Sequence, residues 1–289
     1  MANKKLKAPV NIPVSKIHPF EGNPYKVLDN DEMNNLICSI QEQGILTPII
    51  IRPIENTDEY EVISGHRRLH ATVKAGMKEV PAFIYAVTRD EAAIMLVDSN
   101  LHREHILPSE KAFAYKLKLE AIKRQGERTD LTSDQVGRKL ESAELIANKS
   151  DDSKTQVRRY IRLTYLIPEL LDLVDEEKIA LTPAVELSYL TDEEQYSLLG
   201  TIEEEDRTPS LSQAVRFKKL SQAGELSYES IETIMQEDKA NQKPMFKVSM
   251  ERLQKVAPKV KDKDFEDFVL KACEHYYRYL QRQRNRDAR

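Results

Sequence analysis

A glycine and three arginines are the residues best placed to do chemistry. The run Tyr60-Glu61-Val62-Ile63-Ser64-Gly65-His66-Arg67-Arg68 puts a glycine between a strand-like stretch and a helix-like one, with two arginines in that helix's first turn. A helix start presents unpaired N–H groups and the positive end of its dipole, where anions settle, and glycine lets a phosphate approach the backbone closely. Two guanidiniums can then grip the phosphate oxygens. Downstream, Asp98-Ser99-Asn100-Leu101-His102-Arg103-Glu104 adds an amide and a third arginine shortly before a helix start. Gly65, His66, Arg67, Arg68, Asn100 and Arg103 are therefore the candidate nucleotide-binding residues. The plainer alternative is an arginine pair that is only solvated surface or a salt-bridge partner.

A second group has the chemistry of base and phosphate contact. Residues 142–163 have helix-turn-helix proportions: Ile146 and Ala147 close a first helix against a second, in which Val157 and Ile161 point inward four positions apart. Ser153 is placed to cap the second helix. Lys154, Gln156, Arg158, Arg159 and Arg162 are then expected on its outer face. Gln and Arg make paired hydrogen bonds to base edges, and Lys and Arg neutralise phosphates. The alternative is an ordinary basic amphipathic helix. Asp151 occupies the turn where such motifs often use glycine, and Asp tolerates the left-handed conformation better than most residues.

These residues need elements to hold them. A helix is expected over Asp31–Gln43, with Met33, Leu36, Ile37 and Ile40 on one face and Gly44 as its stop. Short strands are expected over 48–52, 60–64 and 81–85, with a helix over 66–75 closed by Gly76. Beyond Thr88 strand signals vanish. Thr88-Arg89-Asp90-Glu91, Thr132-Ser133-Asp134-Gln135, Ser153-Lys154-Thr155-Gln156 and Thr191-Asp192-Glu193-Glu194 each allow a hydroxyl and a residue three places on to cap reciprocally. A long helix is expected over 109–123 with Ala112, Tyr115, Leu119 and Ile122 along one stripe. A polar stretch, 236–244, reads as a linker to a final helix over 264–282, whose apolar side carries Phe265, Phe268, Val269, Ala272, Tyr276 and Tyr279.

Composition narrows the class. The chain has 289 residues, too many for one compact core of ordinary size, and is 32% charged with no Trp and 8 Gly, which favours helical, well-solvated domains. A net charge of −4 argues against a protein that coats nucleic acid all over. Local charge decides instead: Lys154, Arg158, Arg159 and Arg162 stand with no acid among them, while Glu203-Glu204-Glu205-Asp206 are acidic together. No run is long enough to span a membrane, and Cys38 and Cys273 are expected as buried free thiols of a cytoplasmic protein. His66 and His70 sit four apart, but Arg67 and Arg68 beside them would repel a cation, and His102 and His105 have no acid or thiol at ligand spacing. No metal site is expected.

Gly65-His66-Arg67-Arg68-Leu69-His70-Ala71 resembles the Gly-x-Arg-Arg-x-x-Ala box of the ParB family of partition proteins, and Asn100-Leu101-His102-Arg103 resembles its Glu-Asn-x-x-Arg box. Residues 12–17, 44–49, 165–168 and 181–187 are similar to flanking family segments, so the resemblance runs in order over roughly residues 11–190. It implies an α+β ParB/sulfiredoxin-like N-terminal module (1–105), an all-α helix-turn-helix domain (106–235), and a linker with a helical C-terminal tail (236–289), mostly α overall. It further implies a homodimer that binds double-stranded DNA and closes as a CTP-bound clamp, associated with the nucleoid or a plasmid and served by a ParA-like ATPase. Gly65, Arg67, Arg68, Asn100 and Arg103 would hold the triphosphate. Two departures stand out: His66 replaces a usual Glu, and Ser99 replaces the Glu of the second box. The second removes a hard oxygen ligand that magnesium favours, so the resemblance implies CTP binding with at most slow hydrolysis.

Two rivals remain at this level. A transcriptional or replication regulator of a mobile element would use the same recognition helix, since such a helix does not state what its operator controls. A nucleotide-dependent kinase or nuclease would use the same N-terminal fold; the sulfiredoxin reaction itself needs a cysteine near Gly65, and Ser64-Gly65-His66-Arg67 has none. Arg278, Arg282, Arg284, Arg286 and Arg289 add a basic C-terminus that either contacts DNA or stays solvated.

Overall fold

A computed structural model describes residues 8–101, 103, 105–129, 146–147, 152–237, 250–257, 260 and 265–287. The chain divides into two units, Met1–Glu237 and Asp238–Arg289.

The first unit begins with a mixed five-stranded sheet: β1 (Val10–Pro13), β2 (Ile17–His18), β3 (Ile49–Pro53), β4 (Tyr60–Ser64) and β5 (Glu79–Ile84), in the order β1-β5-β3-β4-β2. β1 runs antiparallel to β5, β3 parallel to β5 and antiparallel to β4, and β2 parallel to β4. Three of these strands were expected, each within a few residues of its observed bounds. The unforeseen β1 and β2 are the two edges. The alternation of β4 supplies both faces of the sheet. Val62 joins Ile12, Ile49, Ile51, Val80 and Leu69 on one side, and Ile63 packs with Leu96, Val97 and Ala114 on the other. A mixed sheet with both faces covered needs helices on each side. Helices α1 (Asp31–Gln43) and α2 (His66–Lys74) pack against each other through Met33, Ile40 and Ala71, while α3 (Arg89–Asn100) lies over β4.

Inside the sheet, Arg52 and Glu61 are cross-strand partners in β3 and β4, both buried, with Arg52 Nε donating to Glu61 Oε2 at 2.8 Å. The other carboxylate oxygen accepts from the Glu21 N–H at 3.0 Å.

The rest of the unit is helical: α4 (Pro108–Thr129), α5 (Lys154–Leu163), α6 (Pro168–Asp175), α7 (Leu181–Leu187), α8 (Asp192–Glu205), α9 (Leu211–Ala223) and α10 (Tyr228–Gln236). Reciprocal caps form at Thr88 with Glu91 and at Thr191 with Glu194, as their spacing predicts. Two further boxes, Ser210 with Gln213 and Ser227 with Ser230, were not anticipated. The expected box at Thr132 lies outside the described residues. Leu163, Leu170, Leu187, Leu198, Phe217 and Ile231 form the main core of this region. α3 and α4 are bound by a buried Lys118 ion-paired with Asp98, so the sheet and the helices share a packed seam.

The second unit contains α11 (Met250–Val256) and α12 (Phe265–Asp287). On α12 Phe265 is buried, but Phe268, Tyr276 and Tyr279 are exposed; Phe268 meets Phe265 edge-on and Tyr279 stacks on Tyr276. Arg284 and Arg286 have no described side chains and Arg289 lies outside the described residues.

The expectation that the cysteines are buried is corrected: Cys38 and Cys273 are both exposed. The inward stripe of α1 is Met33, Leu36, Ile37 and Ile40, and residue 38 falls between its members on the outer face. Among the described residues no helix is long and apolar enough to cross a membrane.

Candidate functional site

β4 ends at Ser64 and α2 begins at His66, so the chain must turn at Gly65. It does so with φ 102° and ψ 26°, and a Cβ there would lie 2.8 Å from Ile49 Cγ2. Only glycine meets both the backbone and the packing demand. Among the described residues no side chain caps α2, and no acid stands in its first turn, which leaves that end electropositive.

The turn forms one wall of a cleft of about 280 Å³. All six expected residues line it: Gly65, His66, Arg67 and Arg68 from the β4–α2 junction, and Asn100 and Arg103 from the end of α3. A third segment, which the sequence reading missed, contributes Asn23, Tyr25, Lys26 and Val27. Asn23 closes a local turn, its Oδ1 accepting from the Tyr25 N–H at 3.2 Å and its Nδ2 donating to the Tyr25 carbonyl at 3.3 Å. The Asn-Pro pair at positions 23–24 is the turn signal that marks this segment in the sequence.

The arginines differ in what they already hold. Arg67 Nη2 lies 2.9 Å from Glu32 Oε2 on α1. Arg68 donates to the carbonyls of Thr47 and Pro48, bracing the segment between α1 and β3 as well as facing the cleft. The Arg103 guanidinium carbon sits 5.7 Å from the Tyr25 ring centroid. The Tyr25 hydroxyl is buried and has no hydrogen-bond partner among the described residues; burial pushes its pKa up, so it stays a donor at neutral pH. Asn100 is buried and donates to the Leu96 carbonyl at 2.8 Å. The Ser99 hydroxyl also donates to the Leu96 carbonyl, at 3.0 Å. The donors suit a nucleotide's phosphates. Among the described residues the lining of the cleft includes no carboxylate, and Ser99 supplies a hydroxyl in its place.

His66 sits in this cleft with its pKa lowered to about 4, first by burial and second by the Arg103 charge. Its Nε2 accepts from the Phe20 N–H at 3.5 Å. The unfolded chain takes up this proton near pH 6.5 and the folded chain near pH 4, so between those values the unfolded state holds more protons. His66 stability is therefore complete above pH 6.5 and is lost as pH falls towards 4, by up to about 3 kcal/mol. Urea denaturation at stepped pH is expected to show this loss for the wild type and a flatter profile for His66→Gln; parallel profiles would refute it.

The second candidate surface is α5. Ser153 caps it, accepting from the Gln156 N–H at 3.2 Å, and Val157 is fully buried against Tyr115 and Ile146. Asp152 anchors the start of the helix to α4, accepting from the Tyr115 hydroxyl at 2.6 Å and pairing with Lys111 at 2.6 Å. Ile146 and Ala147 join this cluster as expected, but the rest of the first helix, and Asp151, lie outside the described residues. Arg158 is exposed; Lys154, Gln156 and Arg159 are half-buried, with Arg159 donating to Thr182 Oγ1 of α7 at 2.5 Å and to Gln156 Oε1 at 3.4 Å.

Arg162 does not point outward as expected. Its Nε donates to the Ser188 hydroxyl at 3.0 Å and its Nη2 to the Ser188 carbonyl at 2.6 Å. Its guanidinium carbon lies 4.4 Å and 3.9 Å from the Tyr165 and Tyr189 ring centroids. The segment after α7 rises beside the last turn of α5, and the long side chain folds back onto it.

A family model described as the ParB N-terminal domain matches residues 2–101. The chromosome-partitioning protein Spo0J of Thermus thermophilus is 30% identical over 76% of this chain and 74% of its own length. A nucleoid occlusion protein of Listeria innocua is 31% identical over 68% of this chain, which spans 63% of that relative. A solved structure of C-terminally truncated ParB from Caulobacter crescentus, complexed to the centromeric parS site, is 21% identical with a TM-score of 0.42 and covers 78% of this chain and 98% of its own.

Proposed function

We infer the function from one premise: the chain belongs to the ParB family. It is a sequence-specific DNA-binding protein of chromosome, plasmid or mobile-element partition, acting as a homodimer on a palindromic double-stranded site through α5. Lys154, Gln156, Arg158 and Arg159 are its DNA-contacting residues, with Thr182 of α7 beside them. Its cleft takes CTP, with Gly65, Arg67, Arg68, Asn100 and Arg103 on the triphosphate and His66 neutral beside them. Bound nucleotide modulates contact between the N-terminal modules of two subunits, and a ParA-like ATPase is the partner that acts on the assembled complex. Among the described residues the lining of the cleft brings anion donors and no carboxylate, which supports hydrolysis that is at most slow.

The observation that carries this reading is the convergence of three separate stretches of chain, with residues 23 and 25–27 from the first, 64–68 from the second and 99, 100 and 103 from the third, on one cationic cleft in the same folded unit as the basic helix α5. The relatives are named for two roles, chromosome partition and nucleoid occlusion, and the DNA site separates them. Immunoprecipitation of bound DNA with and without CTP is expected to enrich one short palindrome, with signal spreading into flanking DNA when CTP is present. Recovery of no sequence above background would overturn it.

A further inference from the structure

Lys26 lines the cleft, yet its ammonium is oriented towards the helical region. It lies 3.9 Å from Asp172 Oδ1 and 3.9 Å from Asp175 Oδ2, both on α6. The backbone of the same residue is fixed independently, its N–H donating to Glu110 Oε1 at 2.8 Å. The side chain can therefore change partner while the residue stays in place. Asp175 is otherwise occupied, since it accepts from the Ser109 N–H at 2.9 Å and from the Ser109 hydroxyl. Asp172 is 65% exposed. At 3.9 Å neither carboxylate makes a charge-assisted hydrogen bond with Lys26, so the tie is a through-space attraction, to an exposed Asp172 and to a buried Asp175 whose carboxylate Ser109 already satisfies. A phosphate oxygen in direct contact would outbid it.

We propose that Lys26 is a ligand-binding residue of the cleft, and that a nucleoside triphosphate recruits its ammonium away from Asp172 and Asp175. Occupancy of the cleft and the Lys26 tie to α6 are then mutually exclusive, while the Lys26 N–H stays on Glu110. By linkage, weakening the tie strengthens nucleotide binding to the same extent. The proposal rests on the nucleotide reading of the cleft.

The test is calorimetric titration of the full chain with CTP, and separately with inorganic tripolyphosphate, for wild type, Lys26→Gln, Asp172→Asn, the double variant and Lys26→Arg. Lys26→Gln is expected to bind about tenfold more weakly and Lys26→Arg to recover most of that loss. Asp172→Asn leaves the Ser109–Asp175 bonds untouched and is expected to bind about two- to fivefold more tightly. In the Lys26→Gln background Asp172→Asn is expected to change nothing, because the side chain it releases is gone. Wild-type affinity in Lys26→Gln, or no tightening in Asp172→Asn, overturns the proposal while leaving CTP binding itself standing. A wild type that binds neither CTP nor tripolyphosphate overturns the nucleotide reading and this proposal with it. Thermal melts of each variant separate loss of binding from loss of fold.

Discussion

Replacing Arg158 and Arg159 together with Ala is expected to lower affinity for the DNA site by about a hundredfold or more, since each arginine that reads a base edge contributes roughly 1–3 kcal/mol. The fold is expected to survive. Arg158 is exposed, and among the described residues Arg159 donates to the Thr182 hydroxyl and to Gln156. Arg162→Ala is the instructive contrast, because that guanidinium satisfies Ser188 and lies against Tyr165 and Tyr189. Its loss should lower the melting temperature and change DNA affinity mainly through a loosened α5. Fluorescence anisotropy at stepped salt is the measurement, and the double variant should also show a shallower salt dependence because phosphate contacts have gone. Unchanged affinity in the double variant would sink the assignment of α5 as the reading helix.

Gly65→Ala is expected to abolish nucleotide binding and to destabilise the N-terminal module. The backbone at φ 102° costs an L-residue about 1–2 kcal/mol, and the new methyl would sit 2.8 Å from Ile49 Cγ2, adding about 1–3 kcal/mol of overpacking. Relief requires the junction to move, and the junction is what aims Arg67 and Arg68 at the cleft. CTP titration followed by a thermal melt should show both effects. A Gly65→Ala protein that melts and binds like wild type would mean the turn is neither strained nor part of the site.

Much of this was legible in the sequence where local rules decide. Helix α1 has the expected bounds because Asn30 caps it and Gly44 stops it, and the boxes at Thr88 and Thr191 close as their spacing predicts. Cys38 was expected to be buried, although a stripe at 33, 36, 37 and 40 leaves 38 outside; there residue type was weighed above the helical period that decides. Other features depend on what lies opposite. The two residues of β2 are a strand only because they run beside β4, and Lys26 enters the cleft only because the segment before α1 folds across it. Arg162 has the composition of a contact residue, but Ser188 and Tyr189, twenty-six and twenty-seven positions on, claim its guanidinium. No periodicity within α5 announces that.

The Arg52–Glu61 pair joins β3 and β4, two of the three interior strands, where both partners are almost fully enclosed. Removing either one alone would strand its counterpart in the interior, at about 3–5 kcal/mol, while replacing both with apolar residues of similar size can be nearly neutral. The two positions are consequently bound together in inheritance. Descent by single exchanges meets a deep valley there, so lineages of this protein should either keep both charges or have lost them in concert.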